Sequence, residues 1–220
     1  MKCYLIPILL GASLISVSSY FSQEIKFDTL NTEIFVSEID TTFAIPEPDY
    51  QIDNYLIFTE RLGFRESSNR YHITSRSGTF KGRYQFGPAA LYDIDMAHIS
   101  RNEFLRNPYY QEIALIRYLK INEYYLEYYI DKYEGKEINE IKISRAGILA
   151  AAHLVGHRWV RTFFDSNGKV VRRDGNGVPL TEYLELFSDI KLNLNFNEEI
   201  VILLFDKEQQ FNNLNLTYSQ

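Results

Sequence analysis

Residues 63–87, GFRESSNRYHITSRSGTFKGRYQFG, hold one carboxylate, Glu66, and no further Asp or Glu follows until Asp93. Between the two acids lie Arg70, Arg76, Lys81 and Arg83 in a polar, serine-rich run. Upstream, Ile52, Tyr55, Thr59, Leu62 and Glu66 recur at steps of three and four, so they share one stripe of a helix. A carboxylate on such a stripe is costly to ionise, and its pKa is expected to rise. It can then hold a proton near neutral pH and deliver it, the general-acid task in glycoside cleavage. On periodicity alone, a helix frayed at Gly63 with Glu66 facing water stands as the alternative. Two-carboxylate glycosidases need a second acid across the sugar, and this stretch has none. One acid suffices where the substrate's own 2-acetamido group, or internal attack by its 6-hydroxyl, meets the oxocarbenium-like charge.

These residues need elements to hold them. The spacing predicts a helix from about Tyr50 to Glu66. The segments RYHI and TFKGRYQF alternate as short strands around a Ser77-Gly78 turn, and Gly87-Pro88 opens a short helix. Asn107 caps the longest helix, with Pro108 in its first turn, and the helix stops before Gly135. Ser144 caps RAGILAAAHLV, whose small residues suit a tightly buried helix closed by Gly156. DSNGK and DGNG read as turns around a brief basic hairpin, KVVRR, and TEYLELF as a last core helix. The segment EEIVILLF fits helix or strand. The fold class is mainly α (α+β), with a small β-hairpin after the helix that carries Glu66.

Two separated motifs resemble one family. RESSNRY…GRYQFG is similar to the signature of soluble lytic transglycosylases in the lysozyme-like superfamily: Glu-Ser at a helix end, then Gly-x-x-Gln before the next helix. Here it stands as Glu66-Ser67 and Gly82-Arg83-Tyr84-Gln85, and the GRYQ form also resembles the phage-lambda type of endolysin. The family's late Ala-Tyr-Asn-Ala-Gly has a counterpart in Ala152-His153-Leu154-Val155-Gly156, followed by HRWVRTFF. Together the motifs cover roughly residues 50–187. The resemblance implies a lysozyme-like helical domain that cuts the β-1,4 bond between N-acetylmuramic acid and N-acetylglucosamine. Glu66 would protonate the leaving oxygen and then act as base on the muramoyl 6-hydroxyl, giving a 1,6-anhydro end. Ser67 would help hold the acetamido group or the acid, Tyr84 and Gln85 would line the cleft, and Gly82 would allow close backbone approach. His153 and Leu154 depart from the family's Tyr and Asn, so the hydroxyl that borders the acid is missing from the late motif.

Composition bounds the rest. The chain of 220 residues suits one domain with a buried core. Its net charge of −6 argues against nucleic acid or an anionic membrane as partner. Its 17 Tyr and 15 Phe fit packing and are compatible with stacking on sugar rings. Lys2 and the apolar run after it predict a signal peptide over 1–19, too short to span a bilayer, so the exported chain would be periplasmic or secreted without an integral span. The single cysteine, Cys3, lies inside that segment, which excludes disulfides and thiolate chemistry from the mature chain. Residues 20–48 are expected as a linker or arm, 49–187 as the catalytic domain, and 188–220 as an extension. The four histidines show no ligand spacing, so no metal or cofactor is expected. Arg70, Arg76, Lys81 and Arg83 suit either the carboxylates of peptidoglycan or a solvated face. The expected partner is the peptidoglycan strand. A hydrolytic lysozyme, a non-catalytic glycan-binding protein on the same fold, and a structural export protein with an incidental Glu66 are the competing readings.

Overall fold

A computed structural model describes residues 50–206; the expected signal peptide, the arm at 20–48 and the last residues of the extension lie outside the described residues. The fold is mainly helical: α1 (Tyr50–Ser67), α2 (Pro88–Asp93), α3 (Arg101–Arg106), α4 (Pro108–Tyr133), α5 (Arg145–Val155), α6 (His157–Asp165) and α7 (Leu180–Leu186). One antiparallel hairpin, β1 (Glu137–Ile138) and β2 (Ile141–Lys142), sits between α4 and α5. No helix among the described residues is long and apolar enough to cross a membrane.

The core is built around α5. Every residue from Ala146 to Ala152 is buried, because its small side chains let neighbours close in on all sides. The tightest approach is by α7: a Cβ on Gly147 would stand 2.6 Å from the Leu184 carbonyl oxygen. Ser144 caps the helix by accepting from the Gly147 amide at 3.0 Å, and its hydroxyl donates to the Phe187 carbonyl, also at 3.0 Å. One hydroxyl therefore starts α5 and ties it to the end of α7. On the other side α4 contributes Leu115, Ile116, Leu119 and Leu126, and α1 contributes Tyr55, Phe58, Thr59 and Leu62.

Three expectations need correction. The stretch 71–86 is not a hairpin; it makes only single bridges, Thr74 with Lys81 and Lys81 with Phe86. Gly82, Arg83 and Tyr84 are buried in succession, which a strand with alternating faces cannot do. The two-stranded hairpin instead follows α4 and turns at Asn139 and Glu140, both at positive φ (52° and 66°). That is the backbone of a tight hairpin turn, hidden in the sequence because Glu stands where Gly is usual. KVVRR is likewise a loop, with one bridge from Arg173 to Pro179. Helix α3 was not expected, although Ser100 and Glu103 have capping-box spacing, and Ser100 does accept from the Glu103 amide.

Beyond Phe187 the chain stays on the same core. Ile190, Leu192 and Leu194 are buried, Phe196 meets the Tyr55 ring edge-on at 4.9 Å, and residues 198–206 are helical. Arg117 grips Glu198 with two hydrogen bonds of 2.8 and 3.0 Å.

Gly147→Val should therefore destabilise by about 1–3 kcal/mol through overpacking against α7. Gly175→Ala, which adds a Cβ into open space, should leave the melting temperature unchanged. Thermal unfolding followed by circular dichroism compares the two; equal melting temperatures would contradict the close α5–α7 contact.

Candidate functional site

Glu66 lies in the last turn of α1 and is half-buried. The end of α1 is fixed to α7 and the segment after it by arginines one turn apart. Arg61 donates to the Leu186 carbonyl at 2.8 Å and pairs with Asp189, while Arg65 pairs with Glu182. Exposed pairs like these contribute little to stability, yet they set which face of α1 meets α7. The consequence is a 2.6 Å hydrogen bond in which the Tyr183 hydroxyl donates to Glu66 Oε1. Burial first, and then the Glu66 charge, push the Tyr183 pKa far above its ordinary value, so this hydroxyl keeps its proton and acts as a fixed donor.

The loop after α1 is held by a buried charge network. Arg83 and Glu112 are 4 % and 5 % exposed, and Arg83 Nη1 reaches Glu112 Oε1 at 3.2 Å. Arg83 also pairs with Glu60 and donates to Asn69 Oδ1 at 3.0 Å and to the Tyr71 hydroxyl at 2.8 Å. Glu112 accepts from the hydroxyls of Tyr71 and Tyr84, each at 2.8 Å. Gln111 completes the cradle: its Oε1 accepts the Arg83 amide at 2.7 Å, and its Nε2 donates to the Phe104 carbonyl at 2.9 Å. A buried ion needs this density of partners, because each unsatisfied lone pair or N–H would cost free energy.

The network reassigns several residues. Tyr84 does not line the cleft; it is fully buried with its hydroxyl on Glu112, and burial followed by Glu112 raises its pKa. Ser67 does not face the cleft either. Its Oγ accepts the Arg70 amide at 2.9 Å and donates to the Gly63 carbonyl, so it closes the helix end. The close approach at Gly82 is to Gln111, whose Oε1 would stand 2.2 Å from an added Cβ. Arg83, one of the four cations whose run fits a carboxylate site or a solvated face, is internal.

Glu66, Gln85 and His153 do converge, lining one cleft of about 830 Å³ together with Phe80, Trp159 and Asp174. Gln85 holds a left-handed backbone (φ 50°), and its Nε2 donates to the Gly82 carbonyl at 2.8 Å. His153 Nε2 lies 2.8 Å from the Tyr84 carbonyl oxygen. That oxygen only accepts, so Nε2 carries the proton. The ring stands edge-on to Phe86 and Tyr118. His153 thus pins the backbone beside Gln85, and the hydroxyl against the acid comes from Tyr183. A sequence signal for Tyr183 exists: Leu180, Tyr183, Leu184 and Phe187 repeat at three and four residues, which turns Tyr183 inward.

Asp174 is the other acid of this cleft, and its own turn occupies it. Oδ1 accepts the amides of Asn176 at 2.9 Å and Val178 at 2.7 Å, and Oδ2 accepts the Asn176 side chain at 3.3 Å. A second depression of about 980 Å³ adjoins the cleft and shares Phe80, Gln85, His153 and Trp159 with it. No group of three or more His, Cys, Asp or Glu able to hold a metal occurs among the described residues.

Comparison of the chain with protein-family models, with curated proteins and with solved structures returned no match.

Removing one partner of the buried pair should be costly. Glu112→Gln leaves Arg83 with the exposed Glu60 as its remaining counter-charge and should destabilise by about 3 kcal/mol, whereas Arg83→Met combined with Glu112→Leu should recover part of the loss. Urea unfolding of the three proteins measures this. A Glu112→Gln protein as stable as the parent would show that the pair does not hold the loop.

Proposed function

We propose that the protein is an exported peptidoglycan-cleaving glycosidase of lysozyme-like type, in which Glu66 is the single acid/base. The observation that carries this reading is the convergence of Glu66, Gln85 and His153 in one cleft, with the Tyr183 hydroxyl 2.6 Å from the acid. Two motifs far apart in sequence meet there in the order that the lytic transglycosylase resemblance implies. The export component rests on residues 1–19 alone.

In the proposed reaction Glu66 gives its proton to the glycosidic oxygen as the bond from C1 of N-acetylmuramic acid to that oxygen breaks. The 6-hydroxyl of the same sugar attacks C1, and Glu66 takes that hydroxyl's proton. The product is a 1,6-anhydro end and a free 4-hydroxyl, and no water is consumed. Tyr183 orients the carboxyl group, which must lie within hydrogen-bonding distance of the leaving oxygen in one geometry and of the 6-hydroxyl in the next. Gln85 offers Oε1 to a sugar hydroxyl, since its Nε2 is engaged with Gly82. Phe80 and Trp159 supply partly exposed rings for stacking on sugars.

A hydrolytic lysozyme is the second reading, because Asp174 shares the cleft. The hydrogen bonds on both its oxygens favour a turn-holding role over a base for water.

Release of dye from labelled sacculi tests the assignment. Glu66→Gln should lower the rate by about 10²–10⁴-fold, and Tyr183→Phe by about 10–100-fold through misplacement of the acid. Full release by Glu66→Gln would remove Glu66 from the role. Binding to sacculi without release by the parent protein would select the non-catalytic reading.

A further inference from the structure

The chain is acidic, yet the cleft is not. Arg76, Arg172 and Arg173 line the part that contains Glu66, and Arg158 and Arg161 line the adjoining depression. All five are exposed, and none forms an ion pair among the described residues. The acids in these walls are Glu66, Asp174 and Asp93. Glu66 is engaged by Tyr183 and Asp174 by its own turn. The local field shows on His157, whose pKa is lowered by burial and then by Arg158 and Arg161.

A row of unpaired guanidinium groups along a concave wall focuses positive potential there, whatever the net charge of the whole chain. Each offers a planar fork of N–H donors that fits a carboxylate better than a hydroxyl. Arg173 already directs one N–H to the Gly177 carbonyl at 2.7 Å, which steadies its side chain. Arg172 lies over the Trp159 ring at 4.5 Å, so an aromatic face and a cation occupy the same wall. A neutral polysaccharide would use the rings and leave the guanidinium groups unmatched.

On the basis of the glycosidase reading, we infer that the cleft selects strands by the carboxylates they carry, those of the stem peptides and of lactyl groups that bear no peptide, with Arg76 and Arg173 as specificity-determining residues. The cleft thus distinguishes an anionic strand from the same strand with its acids neutralised, and from chitin-like oligosaccharides.

Trp159 is the chain's single tryptophan, so its fluorescence reports on this wall alone. The full chain carrying Glu66→Gln, to prevent turnover, is titrated with disaccharide-peptide oligomers in their free-acid form, with the same oligomers converted to amides, and with chitooligosaccharides of equal length. The acid form should bind on the order of tenfold tighter than the amide form at low salt, and the difference should shrink as salt screens it. Adding Arg76→Gln and Arg173→Gln should remove the preference while the amide form still binds, which also shows that the variant is folded. Equal affinity for acid and amide forms would overturn charge selection and leave the glycan reading intact. Binding of none of the three by the folded protein would overturn both.

Discussion

The buried charge pair between Arg83 and Glu112 is the interaction on which the rest of the cleft depends. Neither ion is stable in the interior alone, so each demands partners, and those partners are the tyrosines, Gln111, Asn69 and Glu60. Meeting that demand draws the loop 68–87 down onto α1 and α4 and fixes its irregular backbone. Once Tyr84 is locked on Glu112, its carbonyl is set to receive His153, and Gln85 must project into the cleft from the next position. The electrostatic cost of burying one arginine is thus converted into a defined wall opposite Glu66.

Glu66 is placed by a different route. Its position at the end of α1 follows from the helical stripe, but its environment comes from α7 through Tyr183 and the arginine contacts one turn earlier. The tight approach of α7 to α5 at Gly147 sets where Tyr183 stands. The site therefore joins two independent supports, a buried charge network under the loop and a close-packed pair of helices behind the acid.

What was legible in the sequence was local. Asn107 and Ser144 announce their helices because a cap acts within three residues, and the small residues of α5 announce its burial. The stripe ending in Glu66 was readable for the same reason. The charge network was not, because Arg83 and Glu112 are 29 residues apart and Arg83 sits in a run that looks like a solvated face. Tyr183 acts on an acid 117 residues away. Tyr84 reads as a cleft residue because Gln85, next in its motif, faces the cleft, while the loop's irregular backbone turns the Tyr84 ring inward. Side chains that act locally leave a spacing in the sequence; those that act by pairing across the fold do not.

Among the described residues the cleft that holds Glu66 has one other acid, Asp174, and the proposed chemistry turns on its being engaged. In the proposed reaction Asp174 stays with its own turn, the carboxyl of Glu66 serves both half-reactions, and the attacking hydroxyl comes from the sugar. Mass analysis of the fragments released from purified peptidoglycan tests this most directly. Fragments ending in 1,6-anhydro-N-acetylmuramic acid, lighter by one water than the hydrolytic product, are the predicted result. Reducing-end fragments alone would contradict attack by the sugar's 6-hydroxyl and make water the nucleophile.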